Sequence, residues 1–182
     1  MENHPYFCHY YEKESGPFVS LSTLRDEEAQ VVIDELIKED KTLAAKTHGG
    51  QYMFYRRMIE KQVRYAFEEK GGTLRRSTPH YMTWGKCPHL TSWYKDGSCI
   101  KIPVAEFDMS TVSFTYGDTF ITFDPSHGKT EEYRKNVCTY DEMIRIIEKY
   151  GWPEKSWYAD APWWQPTYVE AQIWSDIPNG YL

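Results

Sequence analysis

Two side chains in the sequence have the type and the setting for acid–base chemistry, Glu170 and His80. Glu170 lies among aromatic residues in a segment, 168–174, that alternates like a β-strand. Burial among aromatic rings disfavours an ionised carboxyl and raises its pKa toward neutrality, where it can act as a general acid or base. His80 could serve as a general base or donate to a phosphate. The alternatives are a water-facing acid on an edge strand and a hydrogen-bonded structural histidine.

Basic side chains are concentrated in one part of an acidic chain. Residues 46–76 contain eight Lys or Arg and three Glu, whereas the whole chain has a net charge of −6. Such a local excess suits a small anionic ligand better than general adhesion to duplex DNA. We therefore expect Arg57, Arg75 and Arg76 to contact an anion, with His80 beside them and its neighbour Tyr81 in an aromatic wall.

The same region also has a purely structural interpretation. Four charged residues follow one another every four positions, which is typical of ion pairs along one side of a helix: Arg56, Glu60, Arg64 and Glu68. If this side faces water, those charges stabilise the helix and bind nothing. Arg57, Lys61, Arg75 and Arg76 are outside this ladder, so they remain the candidates for an anion.

The four cysteines predict neither a disulfide framework nor a metal site. They are far apart and form no C-x-x-C pair, so we expect reduced thiols and no bound metal. Cys87 and His89 could pair as nucleophile and base, but their spacing in a Pro-containing loop enforces no common face. No glycine-rich phosphate loop occurs, and the motifs identify no cofactor.

The composition indicates one folded domain. The chain has 182 residues, and its 8 Phe, 7 Trp and 15 Tyr are far too many for a disordered chain. A chain of this length can be built around one core, so we expect a single domain over residues 1–182. The sequence has no long apolar run and no basic-then-apolar start, which predicts a cytoplasmic protein without a membrane partner.

Three helices are predicted. The first follows Ser22 or Thr23 as N-cap, has acidic residues in its first turn and carries an apolar stripe. The second covers residues 51–69 and is stopped by a glycine pair. A short third helix begins after Thr139, because Glu142 three residues later completes a capping box.

The strands are predicted from alternating β-branched and aromatic residues. The segments with this pattern are residues 79–84, 90–94, 98–104, 111–116, 119–123 and 168–174. Asp96-Gly97 and Gly117-Asp118 predict two hairpins. The sequence therefore predicts an α+β domain with two N-terminal helices, a mostly antiparallel sheet built from hairpins, a short third helix and a final C-terminal strand.

The segment 152–168 is rich in Trp, Tyr and Pro. Proline excludes a long helix, and exposed aromatic rings can stack on sugars, bases or peptides. The segment has few basic residues, which disfavours nucleic acid as its ligand. It is therefore either a tail that covers the core or the binding surface of a protein-interaction module.

The chain ends on a distinctive pattern, Glu170-Ala171-Gln172-Ile173-Trp174 followed by Ile177-Pro178 and Tyr181. This pattern resembles the C-terminal strand of the DNA-targeting ADP-ribosyltransferase toxins, and His9-Tyr10 is similar to the strand on which those enzymes hold NAD. The resemblance implies that Glu170 orients the nucleophile or stabilises an oxocarbenium-like transition state. It also implies that His9 contacts NAD and that the basic region holds the pyrophosphate or a nucleic-acid acceptor.

Three functions follow from these features. The uneven charge favours, by a small margin, a domain that binds a small anionic or nucleotide-like ligand. The second hypothesis is an NAD-dependent ADP-ribosyltransferase-like enzyme that uses Glu170, and the third is a protein-interaction module with the Trp-rich segment as its surface. The sequence leaves open whether nucleic acid is a partner, whether the chain is an enzyme and which oligomeric state it adopts.

Overall fold

A computed structural model describes residues 4–38, 49–123, 131–153 and 165–182. Its helices are α1 (Asp26–Lys38), α2 (Tyr52–Glu68), α3 (Thr119–Phe123) and α4 (Tyr140–Tyr150). Its strands are β1 (Tyr6–Glu12), β2 (His80–Trp84), β3 (Gly97–Pro103), β4 (Val112–Tyr116) and β5 (Val169–Ile173). The predicted α+β fold is confirmed.

The five strands form one sheet in the order β3-β1-β2-β5-β4, and every pairing in it is antiparallel. Strand β5, the last in the chain, therefore lies inside the sheet between β2 and β4. Glu170 at its centre is opposite Thr83 of β2 and Thr115 of β4. The edge position that would let Glu170 face water does not exist in this topology.

The two predicted hairpins are wrong. Residues Pro88–Trp93 form a 3-10 helix, with Pro88 at its start, and β3 pairs along its length with β1. Gly97 is the first residue of β3 and packs tightly against the backbone of Thr91, so Asp96-Gly97 is no two-residue hairpin turn. Thr119–Phe123 is helical because the Asp118 carboxylate accepts a hydrogen bond from the backbone N–H of Phe120 and caps the first turn.

Strand β5 divides its side chains between two sides of the sheet. Val169, Ala171 and Ile173 point into the largest apolar cluster, in which α4 packs against the strands. Glu170 and Gln172 point to the opposite side, because successive strand residues alternate. On this second side α2 packs through a smaller cluster that includes Trp174, with the members Ile59, Val63, Phe67, Val137 and Trp174.

The helices start and pack largely as their sequences predict. Helix α1 has three acids in its first turn, and it buries Ala29 and Ile33 against α2. Ser22 precedes it in a separate 3-10 turn, Leu21–Thr23, and is buried instead of capping the helix. Thr139 and Glu142 make both hydrogen bonds of the predicted capping box at the start of α4.

None of the helices within the described ranges is long and apolar enough to cross a membrane. The predicted extent of the first helix beyond Lys38, the loop at residues 124–128 and most of the Trp-rich segment lie outside the described residues.

Candidate active site

Glu170 is a buried carboxyl in the middle of the sheet, with only 7% of its surface exposed. Its Oε1 accepts hydrogen bonds from the hydroxyl of Thr119 and from Nε2 of Gln172, the latter at 3.1 Å. Burial, reinforced by the negative charge of Asp118, raises the pKa of Glu170 to about 8. A carboxyl with this pKa exchanges its proton near neutral pH, as a general acid or base must.

A buried polar network holds the carboxyl of Glu170 in place. Nε2 of Gln172 also donates to the hydroxyls of Thr115 and Thr119, each at 3.1 Å. Oε1 of Gln172 accepts from the hydroxyl of Ser113 at 2.8 Å, which in turn accepts from Nε1 of Trp174. Since buried polar groups are costly unless their hydrogen bonds are made, this network specifies one arrangement of the side chains around Glu170.

Asp118 supplies a second carboxylate beside Glu170. One oxygen accepts from the backbone N–H of Phe120 at 2.8 Å, and the other accepts from the hydroxyl of Tyr168 at 2.9 Å. Asp118 is thus anchored by the start of α3 on one side and by Tyr168 on the other. Two carboxyl groups in unequal surroundings are typical of sites in which one group carries the exchangeable proton.

Helix α2 adds a buried ion pair. Nε of Arg56 lies 3.3 Å from Oε1 of Glu60, and it donates to the hydroxyl of Ser22 at 2.7 Å. Oε1 of Glu60 accepts from Ser22 at 2.6 Å and from the hydroxyl of Tyr81 at 3.1 Å. The positive charge of Arg56 also reaches Glu170, where it lowers the pKa and partly opposes the effect of burial.

The second oxygen of Glu60, Oε2, is buried and has no hydrogen-bond partner among the described residues. A buried acceptor without a donor costs on the order of 1–3 kcal/mol. Glu60 does not line the pocket described below. Its cost is therefore weighed against the ion pair with Arg56 and the hydrogen bonds to Oε1.

Tyr81, a predicted ligand contact, is part of this network. The guanidinium carbon of Arg56 lies 5.2 Å from the centroid of the Tyr81 ring. Burial and the charge of Glu60 raise the pKa of Tyr81 well above its ordinary value, so its hydroxyl stays protonated and donates to Glu60.

The interpretation of Arg56 and Glu60 as members of a solvated ladder is wrong, since Glu60 is buried and the side chain of Arg56 is only 17% exposed. Sequence reasoning missed them as site residues, although a signal was present. Positions 53, 56, 60, 63 and 67 recur at helical spacing, and Met53, Val63 and Phe67 are buried apolar residues. Two charged residues that occupy an apolar stripe indicate a buried ion pair.

His9 does not join Glu170. Cys8 is opposite Thr83, and Thr83 is opposite Glu170, so His9 lies on the other side of the sheet. Its Nδ1 is bonded to the carbonyl oxygen of Tyr81 at 3.0 Å, and its Nε2 accepts from the backbone N–H of Phe18 at 2.9 Å. With both ring nitrogens engaged, His9 ties β1 to its neighbours, and this arrangement lends no support to the predicted contact with NAD.

His80 also lies on the side of the sheet opposite Glu170, because it is opposite Ile173. Burial and the charge of Arg76 lower the pKa of His80 to about 4. The ring is therefore neutral at physiological pH and is a weak base there. The structure does not bring the two predicted catalytic residues, His80 and Glu170, together.

The predicted anion-binding arginines are divided between two places. Arg75 and Arg76 line one pocket of about 390 Å³, together with Ser22, Thr23, Ser77, Thr78 and Asp176. Arg57 is not one of its lining residues. It forms an ion pair with Asp26 at 2.8 Å and donates to the carbonyl oxygen of Leu24 at 2.8 Å.

Cys87 and His89 are closer together than their spacing suggested, with Sγ and Nδ1 3.1 Å apart. Cys87 is nevertheless buried in a small apolar cluster with Cys8, Tyr10, Leu90 and Tyr168, which is the setting of a structural cysteine. The four cysteines form no disulfide bond with one another. Within the described ranges, no three His, Cys, Asp or Glu side chains come together in a way that could hold a metal ion.

Comparison with known proteins finds no matching family model, no matching curated protein and no matching solved structure. The function of the chain is therefore inferred from its own residues.

Proposed function

We propose that the chain is an enzyme that transfers ADP-ribose from NAD, with Glu170 as its catalytic carboxyl. The observation that carries this proposal is the burial of Glu170 on an interior strand, with a pKa near 8 and a polar network around its carboxyl. Strongly shifted carboxyl groups in fixed surroundings are enriched at catalytic sites. The resemblance of the last strand to ADP-ribosyltransferase toxins supplies the reaction class, and Glu170 is the residue that it assigns to catalysis.

The proposed reaction requires a negative charge at the position of Glu170. The bond between ribose C1′ and the nicotinamide nitrogen breaks, and its electron pair leaves with the nicotinamide, which becomes neutral. Positive charge develops on the ribose, and an acceptor oxygen or nitrogen then bonds to C1′ and loses one proton. Ionised Glu170 stabilises the oxocarbenium-like transition state or takes that proton.

The ion pair of α2 supports the same reaction from the neighbouring helix. The charge of Arg56 favours the ionised form of Glu170 and so keeps part of the carboxyl deprotonated near pH 8. Glu60 pairs with Arg56 and so positions the positive charge that acts on Glu170.

The other two hypotheses rank lower for reasons that differ. Binding of an anionic ligand without chemistry was expected to use Arg57, Arg75, Arg76 and His80, but these residues do not line one common pocket. The interaction module was expected to use the Trp-rich segment, and most of that segment lies outside the described residues. Neither hypothesis gives a role to the buried network around Glu170.

The test is release of nicotinamide from NAD, measured chromatographically with water, single-stranded DNA and duplex DNA as acceptors. We expect release by the unaltered protein and a loss of roughly 100-fold or more in Glu170→Gln, since acid–base groups contribute about that much. Glu106→Gln, at an exposed glutamate, is the matched control and should release nicotinamide normally. No release with any acceptor, or full activity of Glu170→Gln, would overturn the proposal.

A further inference from the structure

The pocket beside Arg75 and Arg76 contains a set of donors that the proposed reaction at Glu170 does not use. Its volume of about 390 Å³ falls within the range of small-molecule pockets. Two guanidinium groups and the hydroxyls of Ser77 and Thr78 line it. Asp176 is a carboxylate of the lining, and Asp108, outside the lining, pairs with Arg75, so two aspartates match the two arginines.

The loop that carries these donors is held by hydrogen bonds of its backbone groups. The backbone N–H of Arg75 donates to the carbonyl oxygen of Trp174 at 2.8 Å. Arg64 donates to the carbonyl oxygen of Arg76 at 2.8 Å, and Nε of Arg76 donates to that of Thr78 at 3.3 Å. Two of these hydrogen bonds tie the loop backbone to Trp174 and to α2, and the third orients the side chain of Arg76. Order already present in the free protein lowers the cost of binding.

The acidic partners of the two arginines can be exchanged at little cost. Arg75 lies 3.1 Å from Asp108 and Arg76 lies 3.0 Å from Asp176. The side chains of these aspartates are 51% and 92% exposed, and ion pairs at such exposure contribute about 1 kcal/mol or less. A doubly charged anion would therefore compete with them, since charge-assisted and bidentate bonds to Arg are stronger.

We propose that this pocket binds a phosphate group through Arg75 and Arg76, with the hydroxyls of Ser77 and Thr78 as further donors. The phosphate could belong to the diphosphate of NAD or to a separate phosphate-bearing molecule. Arginine pairs with hydroxyl donors are typical of phosphate recognition. The inference goes beyond the proposed function, because it does not require any reaction at Glu170.

The position of Ser22 makes occupancy of the pocket relevant to the active site. Ser22 lines the pocket, and its hydroxyl joins Arg56 to Glu60. A ligand that packs against the turn of Ser22 would hold the residue that holds this ion pair. Ser22 is therefore shared by the lining of the pocket and the contacts of this ion pair.

Calorimetric titration with inorganic pyrophosphate tests the proposal. We expect binding by the unaltered protein, a loss of about tenfold or more in affinity in the double variant Arg75→Ala/Arg76→Ala, and normal affinity in Arg145→Ala, an exposed arginine on α4. Ser77→Asp, at an exposed position of the lining, should weaken binding without any risk to the core. Absence of binding, or equal affinity in all variants, would overturn the proposal.

Two further arms identify the source of the phosphate and separate this inference from the proposed function. Displacement of pyrophosphate by NAD would assign the pocket to the diphosphate of NAD. Simultaneous binding of both would assign it to a separate phosphate-bearing molecule. Pyrophosphate should bind Glu170→Gln with unchanged affinity, so failure of NAD turnover and failure of phosphate binding are observed independently.

Discussion

The two sides of strand β5 are held by different interactions, apolar burial on one side and hydrogen bonds on the other. Val169, Ala171 and Ile173 face the largest apolar cluster and are stabilised by the removal of apolar surface from water. Glu170 and Gln172, from the same five residues, face a buried polar network in which every group needs a partner. Burying apolar side chains of the same shape would cost less free energy than burying these polar groups. Stability alone therefore does not explain the polar side.

This contrast separates residues that maintain the fold from residues that do chemistry. Substitutions on the apolar side should cost stability in proportion to the cavity they leave. Substitutions on the polar side should change charge, proton binding and activity, with smaller effects on stability where the shape is kept.

The largest effect is expected on the apolar side. Phe114 is fully buried on β4, with ring centroids 5.1 Å from Trp84 and 5.9 Å from Phe7. Phe114→Ala should lower the free energy of unfolding by about 3–5 kcal/mol through lost burial and a cavity. Urea unfolding measures this, with Phe54→Ala as control, because the Phe54 side chain is 67% exposed. Equal losses in the two variants would contradict the assigned core.

Two adjacent arginines allow the contribution of a buried ion pair to stability to be compared with that of an exposed one. Arg56→Ala should cost about 3 kcal/mol or more, because it leaves the carboxylate of Glu60 buried without its cation. Arg57→Ala should cost about 1 kcal/mol or less, since its partner Asp26 is 77% exposed. Denaturant unfolding of both variants decides this. A similar cost at both positions would show that Arg56 is not part of a buried pair.

Glu170 should make stability depend on pH in an unusual direction. The folded state holds the Glu170 proton up to about pH 8, whereas the unfolded chain releases it near 4.5. Between these values the folded state binds more protons, so its stability falls as pH rises and the loss is complete above pH 8. We expect the unaltered protein to lose on the order of 3 kcal/mol relative to Glu170→Gln between pH 5 and 8.

Comparison with Glu170→Gln removes the contributions of other titrating groups. Burial lowers the pKa of His9 and His80, and these residues change stability with pH equally in both proteins. Glu106→Gln should show the pH dependence of the unaltered protein. Parallel stability curves for Glu170→Gln and the unaltered protein would mean that Glu170 ionises normally.

The smallest effect is expected at the capping box of α4, far from the polar side of the sheet. Thr139→Ala removes one of the two reciprocal hydrogen bonds at the helix start and should cost about 1 kcal/mol. Nicotinamide release should be unchanged, because α4 packs on the apolar side. A thermal melt and the activity assay together check this. If the folded variant lost activity, the separation of stability and chemistry between the two sides of the sheet would be wrong.

Much of the fold could be predicted because its signals are local. The stripe of α2, the capping box of α4 and the alternation of β5 are each contained in a few consecutive residues. The pairing of β3 with β1 and of β5 with β2 is set by contacts between distant parts of the chain, and turn residues such as Asp96-Gly97 do not reveal it. Asp118 was interpreted as a turn residue, whereas it caps a helix.

The candidate site was predictable only in part, for the same reason. Glu170 could be singled out because it alternates with apolar residues in a strand pattern, although its neighbours in the sheet are Thr83 and Thr115 and not the predicted aromatic rings. Its position between β2 and β4, and with it the shift of its pKa, depends on strand order. Arg56 and Glu60 could be detected from their positions on an apolar stripe of the helix. The hydrogen bonds that Ser22 and Tyr81 donate to Glu60 depend on the tertiary fold and could not be predicted.

The most direct test of the central claim is a carbon-13 NMR titration of the side-chain carboxyl groups, with the Glu170 resonance assigned by its absence in Glu170→Gln. The account predicts one glutamate resonance that titrates near pH 8, several units above the exposed glutamates. It further predicts that nicotinamide release rises with pH along the same curve. A Glu170 resonance that titrates near 4.5 would show that burial does not shift the ionisation of this carboxyl. Nicotinamide release that does not follow the Glu170 titration would show that the ionised carboxyl is not the catalytic form.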